Sequence, residues 1–152
     1  MNAPTEQPDK NCLFCDIIAG HVPGWIVVDD DDVVGFLDTR PVFAGHVLVV
    51  PRQHHRNLFE LPRDLIEPVF GTAQLVARAL ETALHCDGAL VLANNRISQS
   101  VDHLHVHVIP RNKKDGLRGF MWPRQEYAHG EIEDFAPRIA SAVTELKGQS
   151  DA

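Results

Sequence analysis

The stretch that decides the fold is Val101–Pro110, which reads VDHLHVHVIP. In this stretch His103, His105 and His107 alternate with apolar residues, and a period of two is typical of a strand with one buried face. We therefore predict a strand over Val101–Ile109 whose three imidazoles share one face, spaced about 7 Å apart. Imidazole acts near neutral pH as a base, a nucleophile, a phosphate-binding donor or a metal ligand, so this strand is the first candidate for a functional site.

The rest of the pattern predicts four more strands and two helices. The strands are expected over 25–29, 33–37, 45–50 and 88–93, and the helices over 65–85 and over a C-terminal amphipathic segment with Phe135, Ile139, Val143 and Leu146. Near the start of the long helix, Asp64 and Glu67 resemble a capping box, whereas Pro68 fits best in a first turn. Short connections favour antiparallel pairing, so we predict an α+β fold: an antiparallel five-stranded sheet with a long central helix and a C-terminal helix.

The composition is typical of one globular domain. The chain has 152 residues, of which 44% are hydrophobic and 23% charged, and no apolar run approaches the about 20 residues of a membrane span. The net charge of −7 disfavours binding to a nucleic-acid backbone but allows a small anionic ligand held by a few donors. The polar segment 1–11 lacks the apolar core of a signal peptide, so we expect a cytoplasmic protein with no membrane and no nucleic-acid partner.

Five motifs in order resemble the histidine triad (HIT) family of nucleotide hydrolases and transferases. The triad is one, and the others are CLFCDIIAG at 12–20, FLDTRP at 36–41, GHVLVVP at 45–51 and QSV at 99–101. The resemblance predicts a HIT domain over 11–147, between a flexible leader at 1–10 and a flexible tail at 148–152. It implies a homodimer that hydrolyses a phosphoanhydride or phosphoramidate at the α-phosphate of a purine nucleotide, such as a dinucleoside polyphosphate or a nucleoside phosphoramidate.

The resemblance also implies roles for four catalytic residues. His105 is the expected nucleophile, which forms a covalent nucleotidyl intermediate. His107 would contact the phosphate and stabilise charge on its nonbridging oxygens. His46 would orient the neighbouring imidazoles or contact phosphate, and Ser100 would hydrogen-bond the leaving oxygen.

Three further residues are expected to bind the nucleoside. Asp38 resembles the carboxylate that accepts both ribose hydroxyls, since a carboxylate can take two hydrogen bonds from a diol; the alternative is a turn residue before Pro41. Phe36 and Ile17 would help form the slot for the base, as in relatives, but ordinary core packing explains them equally well.

The segment 93–99 departs from the family pattern. It is two residues shorter than in relatives, and Ser98 replaces a glycine, the residue at which a backbone approaches phosphate most easily. Gln99 resembles a phosphate-contacting residue. The usual amide contact falls to Asn94 or Asn95, and we favour Asn94.

Cys12 and Cys15 are spaced as half of a tetrahedral zinc site. Resemblance to zinc-bearing bacterial members of the family points to His54 and His103 as the other two ligands. Zinc would then be structural, with no cofactor required for the chemistry. The alternatives are free thiols or a redox pair, although the βαβ pattern that usually accompanies a redox pair is absent.

Two other functions are compatible with the sequence. One is a nucleotidyl transferase or phosphorylase, in which relatives often replace the last triad histidine by glutamine; His107 favours a hydrolase. The other is a non-catalytic nucleotide-binding module, supported only by the shortened 93–99 segment. Arg118, Trp122 and Arg124 are candidates for reading the leaving group, or else lie in a loop at a dimer interface.

Overall fold

The computed structural model describes residues 11–117 and 125–150, in two compact units that divide after Asp115. The first unit has a short 3₁₀ turn at Leu58–Glu60 and these elements in order: α1 (Leu13–Ala19), β1 (Ile26–Asp29), β2 (Val33–Leu37), β3 (Val47–Pro51), α2 (Arg63–Leu84), β4 (Gly88–Leu92) and β5 (Val106–Arg111). The second unit contains α3 (Glu131–Ser150). No helix of the described residues is both long and apolar enough to cross a bilayer.

The five strands form one antiparallel sheet in the order β1-β2-β3-β5-β4. This confirms the predicted α+β fold with its five-stranded antiparallel sheet, long central helix and C-terminal helix. The register aligns one row of residues across four strands, because Phe36 pairs with Leu48, Leu48 with His107, and His107 with Leu92. Directly paired residues project from the same face of a sheet, so the last triad histidine shares a face with Phe36.

Each face of the sheet carries its own apolar cluster, because successive residues of a strand point to opposite faces. On β3, Val47 and Val49 belong to the cluster that packs against α2, whereas Leu48 and Val50 belong to the cluster that packs against α1. Burial of both faces explains why Val47–Pro51 is apolar throughout, with every residue buried.

Two local predictions were wrong at the starts of elements. α2 begins at Arg63 with no side-chain cap, so the expected capping box is absent, and Pro68 lies within the helix. The fifth strand begins only at Val106, and His103 and His105 lie in the bend before it. The bend replaces the expected even stacking, and the ring centroids of His105 and His107 are 4.9 Å apart.

Candidate active site and metal cluster

His46 and His107 meet beside Asp38 at the sheet face that α1 covers. The main-chain N–H of Asp38 donates to the carbonyl of His46 at 2.9 Å, which joins the end of β2 to the start of β3. Gly45 precedes His46 with a φ of +96°, a backbone conformation that residues with a side chain rarely adopt, and an added Cβ would also displace the end of the Leu84 side chain. Glycine is therefore required for the chain to enter β3 with the imidazole of His46 turned toward the site.

A relay of hydrogen bonds fixes the tautomers of two imidazoles. Nδ1 of His46 accepts from the main-chain N–H of Val42 at 3.2 Å, so its proton lies on Nε2. That Nε2–H faces Nδ1 of His107 at 2.9 Å and donates to it. The proton of His107 consequently lies on Nε2, where it is a donor suited to a phosphate oxygen.

His105 has the opposite tautomer because its partner is a carbonyl. Its Nδ1–H donates to the main-chain oxygen of His103 at 2.7 Å. This leaves the lone pair on Nε2, the form that a nucleophilic imidazole needs. The side chain is buried, with only 3% of its surface exposed.

Burial keeps these imidazoles neutral. Desolvation, with smaller effects from His105 and His46, lowers the pKa of His107 to about 4. Desolvation also lowers the pKa values of His46 and His105, while the negative charge of Asp38 opposes the change in both. A neutral imidazole retains its lone pair, so the site is ready for nucleophilic attack at neutral pH.

Asp38 lies next to the histidines with part of its carboxylate in solvent. Its Oδ1 accepts from the N–H of Arg40 at 2.8 Å, as in an Asx turn. Its Oδ2 lies 3.7 Å from Nδ1 of His46, but that nitrogen accepts from Val42 and carries no proton, so the pair is not an ion pair. The turn and the predicted ribose contact are thus compatible, since the carboxylate retains lone pairs for a ligand.

The two predicted base contacts differ in exposure. Phe36 is only 2% exposed and packs in the cluster under α1. Ile17 lies at the margin of the same cluster and is half-buried. Ile17 therefore offers more surface to a base, whereas Phe36 packs in the core.

The loop before the triad is organised by Gln99. Its Oε1 accepts from the N–H of Arg96 at 2.9 Å, and its Nε2 donates to the carbonyls of Arg56 and Val101. These bonds hold a loop in which Arg96 and Ser98 have positive φ angles, 71° and 57°, a conformation that is costly outside glycine. The side chain of Gln99, the predicted phosphate contact, is thus already engaged in hydrogen bonds that hold its own loop.

The other polar residues of this loop have distinct environments. Asn95 is engaged, because its Oδ1 accepts from the N–H of Leu58 at 2.8 Å. Asn94 donates from its Nδ2 to the carbonyl of Ser98 at 3.1 Å. Ser100 is exposed and lines a cavity of about 290 Å³ beside the start of α1.

Cys12, Cys15, His54 and His103 form a compact cluster of potential metal ligands. Nδ1 of His103 lies 3.4 Å from Sγ of Cys12 and 3.5 Å from Sγ of Cys15, and Nδ1 of His54 lies 3.3 Å from Sγ of Cys15. A tetrahedral zinc with ordinary bond lengths separates a sulfur from a nitrogen ligand by about 3.6 Å. The donor set and its spacing therefore fit zinc.

The tautomer of His103 also suits a metal. Its Nε2–H donates to the main-chain oxygen of Pro51 at 2.9 Å, which leaves the Nδ1 lone pair directed at the two sulfurs. A carbonyl partner of this kind typically orients a ligating histidine. Burial lowers the pKa of His103 to about 4, so the ring is neutral, as a ligand must be.

A second cluster of potential ligands, Asp38, His46 and His107, is better described as a hydrogen-bonded network. Both ring nitrogens of His46 already have partners within the chain. A metal between His46 and His107 would have to separate two nitrogens that are 2.9 Å apart. The geometry favours proton placement over metal binding at this position.

Phe14 is a site residue that the sequence interpretation missed. It is 5% exposed and lies edge-to-face with the ring of His105, with centroids 5.1 Å apart and planes at 84°. The spacing of Phe14, Ile17 and Ile18 was the available signal, because it is the spacing of an amphipathic helix. The predicted leaving-group readers Arg118, Trp122 and Arg124 lie outside the described residues.

Comparison with known proteins defines the family. The HIT domain profile matches residues 19–114, more than half of the chain. The fold and the triad had already indicated this class, and the chain belongs to the HIT family.

Its relatives include a named enzyme, and its structural neighbours include a zinc-bound protein. The Bacillus subtilis protein called hit is 36% identical over 138 residues, which cover 88% of this chain and 95% of that protein. The adenosine 5'-monophosphoramidase of Saccharomyces cerevisiae is 36% identical over 129 residues, covering 83% of this chain and 78% of the yeast protein. The solved structure of a zinc-bound histidine triad protein from Mycobacterium smegmatis is 30% identical with a TM-score of 0.68, covering 91% of this chain and 97% of that one.

Proposed function

We propose that this chain is a nucleotide hydrolase that cleaves a phosphoanhydride or phosphoramidate at the α-phosphate of a purine nucleotide. The observation that carries the proposal is the hydrogen-bonding pattern of two neighbouring rings: the partner of His105 leaves a lone pair on its Nε2, and the partner of His107 leaves an N–H on its Nε2. One ring is suited to attack phosphorus and the other to bind its oxygens. Relatives named as an adenosine 5'-monophosphoramidase and an adenylylsulfatase support the same class.

In the first step, Nε2 of His105 bonds to the α-phosphorus as the bond to the leaving oxygen or nitrogen breaks. The electron pair of that bond goes to the leaving group. An amine leaving group then takes a proton from solvent. The phosphorylated ring keeps its Nδ1–H and becomes positively charged, and the carbonyl of His103 stabilises that charge. His107 donates to a nonbridging oxygen, and Ser100 hydrogen-bonds the leaving atom.

In the second step, water attacks the phosphorus of the His105 adduct. The bond from phosphorus to Nε2 breaks, its electron pair returns to the ring, and a nucleoside monophosphate leaves. The proton of the attacking water passes to solvent. His46 takes no part in bond making; it keeps the proton of His107 on Nε2 in both steps.

Substrate binding in this proposal is divided between three contacts. Asp38 accepts the ribose hydroxyls, Ile17 contacts the base at the edge of the cluster that contains Phe36, and Asn94 faces the phosphate. Gln99 acts on the phosphate indirectly, by holding the loop that precedes the triad.

We further propose that Cys12, Cys15, His54 and His103 bind one structural zinc. The steps above use only histidine, serine and water. When bound, zinc would join the start of α1 to the segment after β3 and to the triad.

A homodimer is the expected assembly, and cytoplasm is the expected location. β4 is an edge strand of the sheet, and Val91 on it is 43% exposed. Sedimentation velocity of the full chain tests the assembly, and a monomer at micromolar concentration would contradict it.

Turnover of two substrate types tests the function. Adenosine 5'-phosphoramidate and a dinucleoside polyphosphate should each release nucleoside monophosphate. Phosphate or a sugar phosphate, added as a competing acceptor, should leave the product unchanged. Transfer to that acceptor would instead indicate a transferase or phosphorylase, and tight nucleotide binding without turnover would indicate a binding module.

A further inference from the structure

Phe14 lies between the predicted metal cluster and the predicted nucleophile. It is two residues after Cys12 and directly before Cys15. Its ring lies edge-to-face with two imidazoles, with centroids 5.1 Å from His105 and 6.0 Å from His103. The same side chain therefore contacts a residue of each site.

The ring of His105 needs such a neighbour. A histidine side chain rotates broadly about its second torsion, because that torsion has no sharp preferred values. One hydrogen bond, from Nδ1 to the carbonyl of His103, fixes one edge of the ring. Phe14 and His107 pack against it at centroid distances of 5.1 Å and 4.9 Å, and these contacts limit its rotation.

The position of Phe14 depends in turn on the cysteines. α1 has only seven residues, and a helix of that length is not stable alone in water. Its start is tied to the protein where Cys12 and Cys15 approach His54 and His103. The same His103 supplies the carbonyl that holds His105, so the cluster reaches the nucleophile by two routes.

We propose that Phe14 is a positioning residue for His105, and that metal binding by Cys12, Cys15, His54 and His103 sets the ring orientation of His105 by both routes, through α1 and through the carbonyl of His103. The proposal rests on the proposed function for the identity of the nucleophile. It assigns the metal cluster an effect on catalysis in addition to its effect on stability.

The first experiment compares Phe14→Leu with Val34→Ala. Leucine keeps an apolar side chain but removes the aromatic edge. Val34 lies in the same apolar cluster and is a matched control for lost packing. In histidine-labelled protein, ¹H–¹⁵N correlation through the imidazole rings reports the tautomer and mobility of His105.

We expect Phe14→Leu to broaden the His105 signals and to lower kcat about tenfold with little change in KM, as for a misplaced reacting group. Val34→Ala should lower the melting temperature but leave the His105 signals sharp. If the two variants give the same spectrum and the same kcat at equal loss of melting temperature, the positioning role is wrong.

The second experiment uses the unaltered chain and does not depend on a variant that folds. Zinc is removed with a chelator and then restored, and the spectrum of His105 is recorded each time. Broadening on removal and recovery with zinc support the coupling, and an unchanged spectrum overturns it. Because this readout needs no turnover, the absence of hydrolase activity would refute the proposed function and leave the positioning test intact.

Discussion

At the scale of single residues, the site depends on which nitrogen of each imidazole carries the proton. His105 and His103 each donate to a main-chain carbonyl, but from opposite ring nitrogens. Nδ1 of His46 instead accepts from a main-chain N–H, so its Nε2–H donates a hydrogen bond to His107. Three of these four side chains thus owe their tautomers to main-chain groups, and His107 owes its tautomer to the side chain of His46.

We predict that His105→Gly abolishes nucleotide release while nucleotide binding persists. Only this residue forms the adduct, whereas binding is spread over ribose, base and phosphate contacts. The rate should fall by roughly 10³-fold or more, as for removal of other catalytic nucleophiles. The measurement is steady-state turnover together with calorimetric binding of a nucleoside monophosphate, with exposed His129→Ala as the control. A turnover rate of the variant within tenfold of the parent rate would show that His105 is not the nucleophile.

Asp38→Ala should weaken binding of ribonucleotides more than of 2′-deoxynucleotides. Loss of the hydrogen bonds to the diol should cost about 1–3 kcal/mol for the ribonucleotide. Asp38→Asn is the matched control, since its side-chain oxygen can still accept from Arg40 and preserve the turn. Equal losses for both ligands, measured by titration calorimetry, would show that Asp38 serves only the turn.

At the scale of elements, the loop between β4 and β5 joins the sheet to the predicted catalytic residues. It leaves β4 at Leu92, which pairs with His107, and returns at His105. Both ends of the loop are therefore fixed next to a predicted catalytic side chain. Gln99 makes two hydrogen bonds within the loop, to Arg96 and Val101, and a third that ties the loop to Arg56 in the segment after β3.

Gln99→Ala should loosen this loop. The change leaves main-chain groups of Arg56, Arg96 and Val101 without their partner, at a cost of about 1–3 kcal/mol in unfolding free energy. Exchange of the Arg96 amide proton should become faster, and kcat/KM should fall. Ile97→Ala, in the same loop and 80% exposed, is the control. Unchanged amide exchange in Gln99→Ala would contradict the assigned role.

Much of the element pattern could be predicted from the sequence, and the exceptions have physical causes. Alternation located β5 and its buried face, but the main-chain N–H of Leu104 donates to the carbonyl of His55 and not to a neighbouring strand, so the strand begins only at Val106. α1 was missed because it is only seven residues long, with Cys12 as its N-cap and Cys15 in its first turn, so the segment was interpreted only as part of a zinc site and a base contact.

The candidate site divides in the same way. Residue types and order located the histidines and the cysteine pair, since their chemistry is evident in any setting. Sequence could not show that Gln99 donates to the carbonyl of Arg56 or that Phe36 is buried, because both depend on partners distant along the chain. It also could not assign tautomers, which follow from main-chain groups at Val42, Pro51 and His103.

At the scale of the whole molecule, the predicted metal should affect stability. We expect one zinc per chain in protein purified without a histidine tag, measured by elemental analysis. Combined Cys12→Ser and Cys15→Ser should lose the metal and lower the melting temperature, because structural zinc contributes folding free energy. Cys86→Ser, at the third buried cysteine, is the control and should retain zinc. A zinc-free chain of full stability would refute the site.

Stability should also fall in mild acid. The pKa of His107 is about 4 in the folded protein, against an ordinary value of 6.5 when unfolded. The unfolded chain therefore binds a proton first, and stability that is fully present above pH 6.5 is lost as the pH falls toward 4. Thermal melts across this range should show a smaller loss for His107→Gln than for the parent. Equal losses of melting temperature in the two proteins would show that the ring of His107 does not contribute to the pH dependence of stability.

The wide separation of the metal ligands along the chain has a consequence for folding. Cys12 and His103 are 91 residues apart, and only the completed pairing of β3 with β5 brings them together. Closing so long a loop is slow compared with forming local structure, so the sheet must assemble before four ligands are available. During synthesis Cys12 and Cys15 are made first, and they remain free thiols until almost the whole domain has been synthesised. Zinc would therefore bind after the sheet has formed, and its binding would then hold α1 in place.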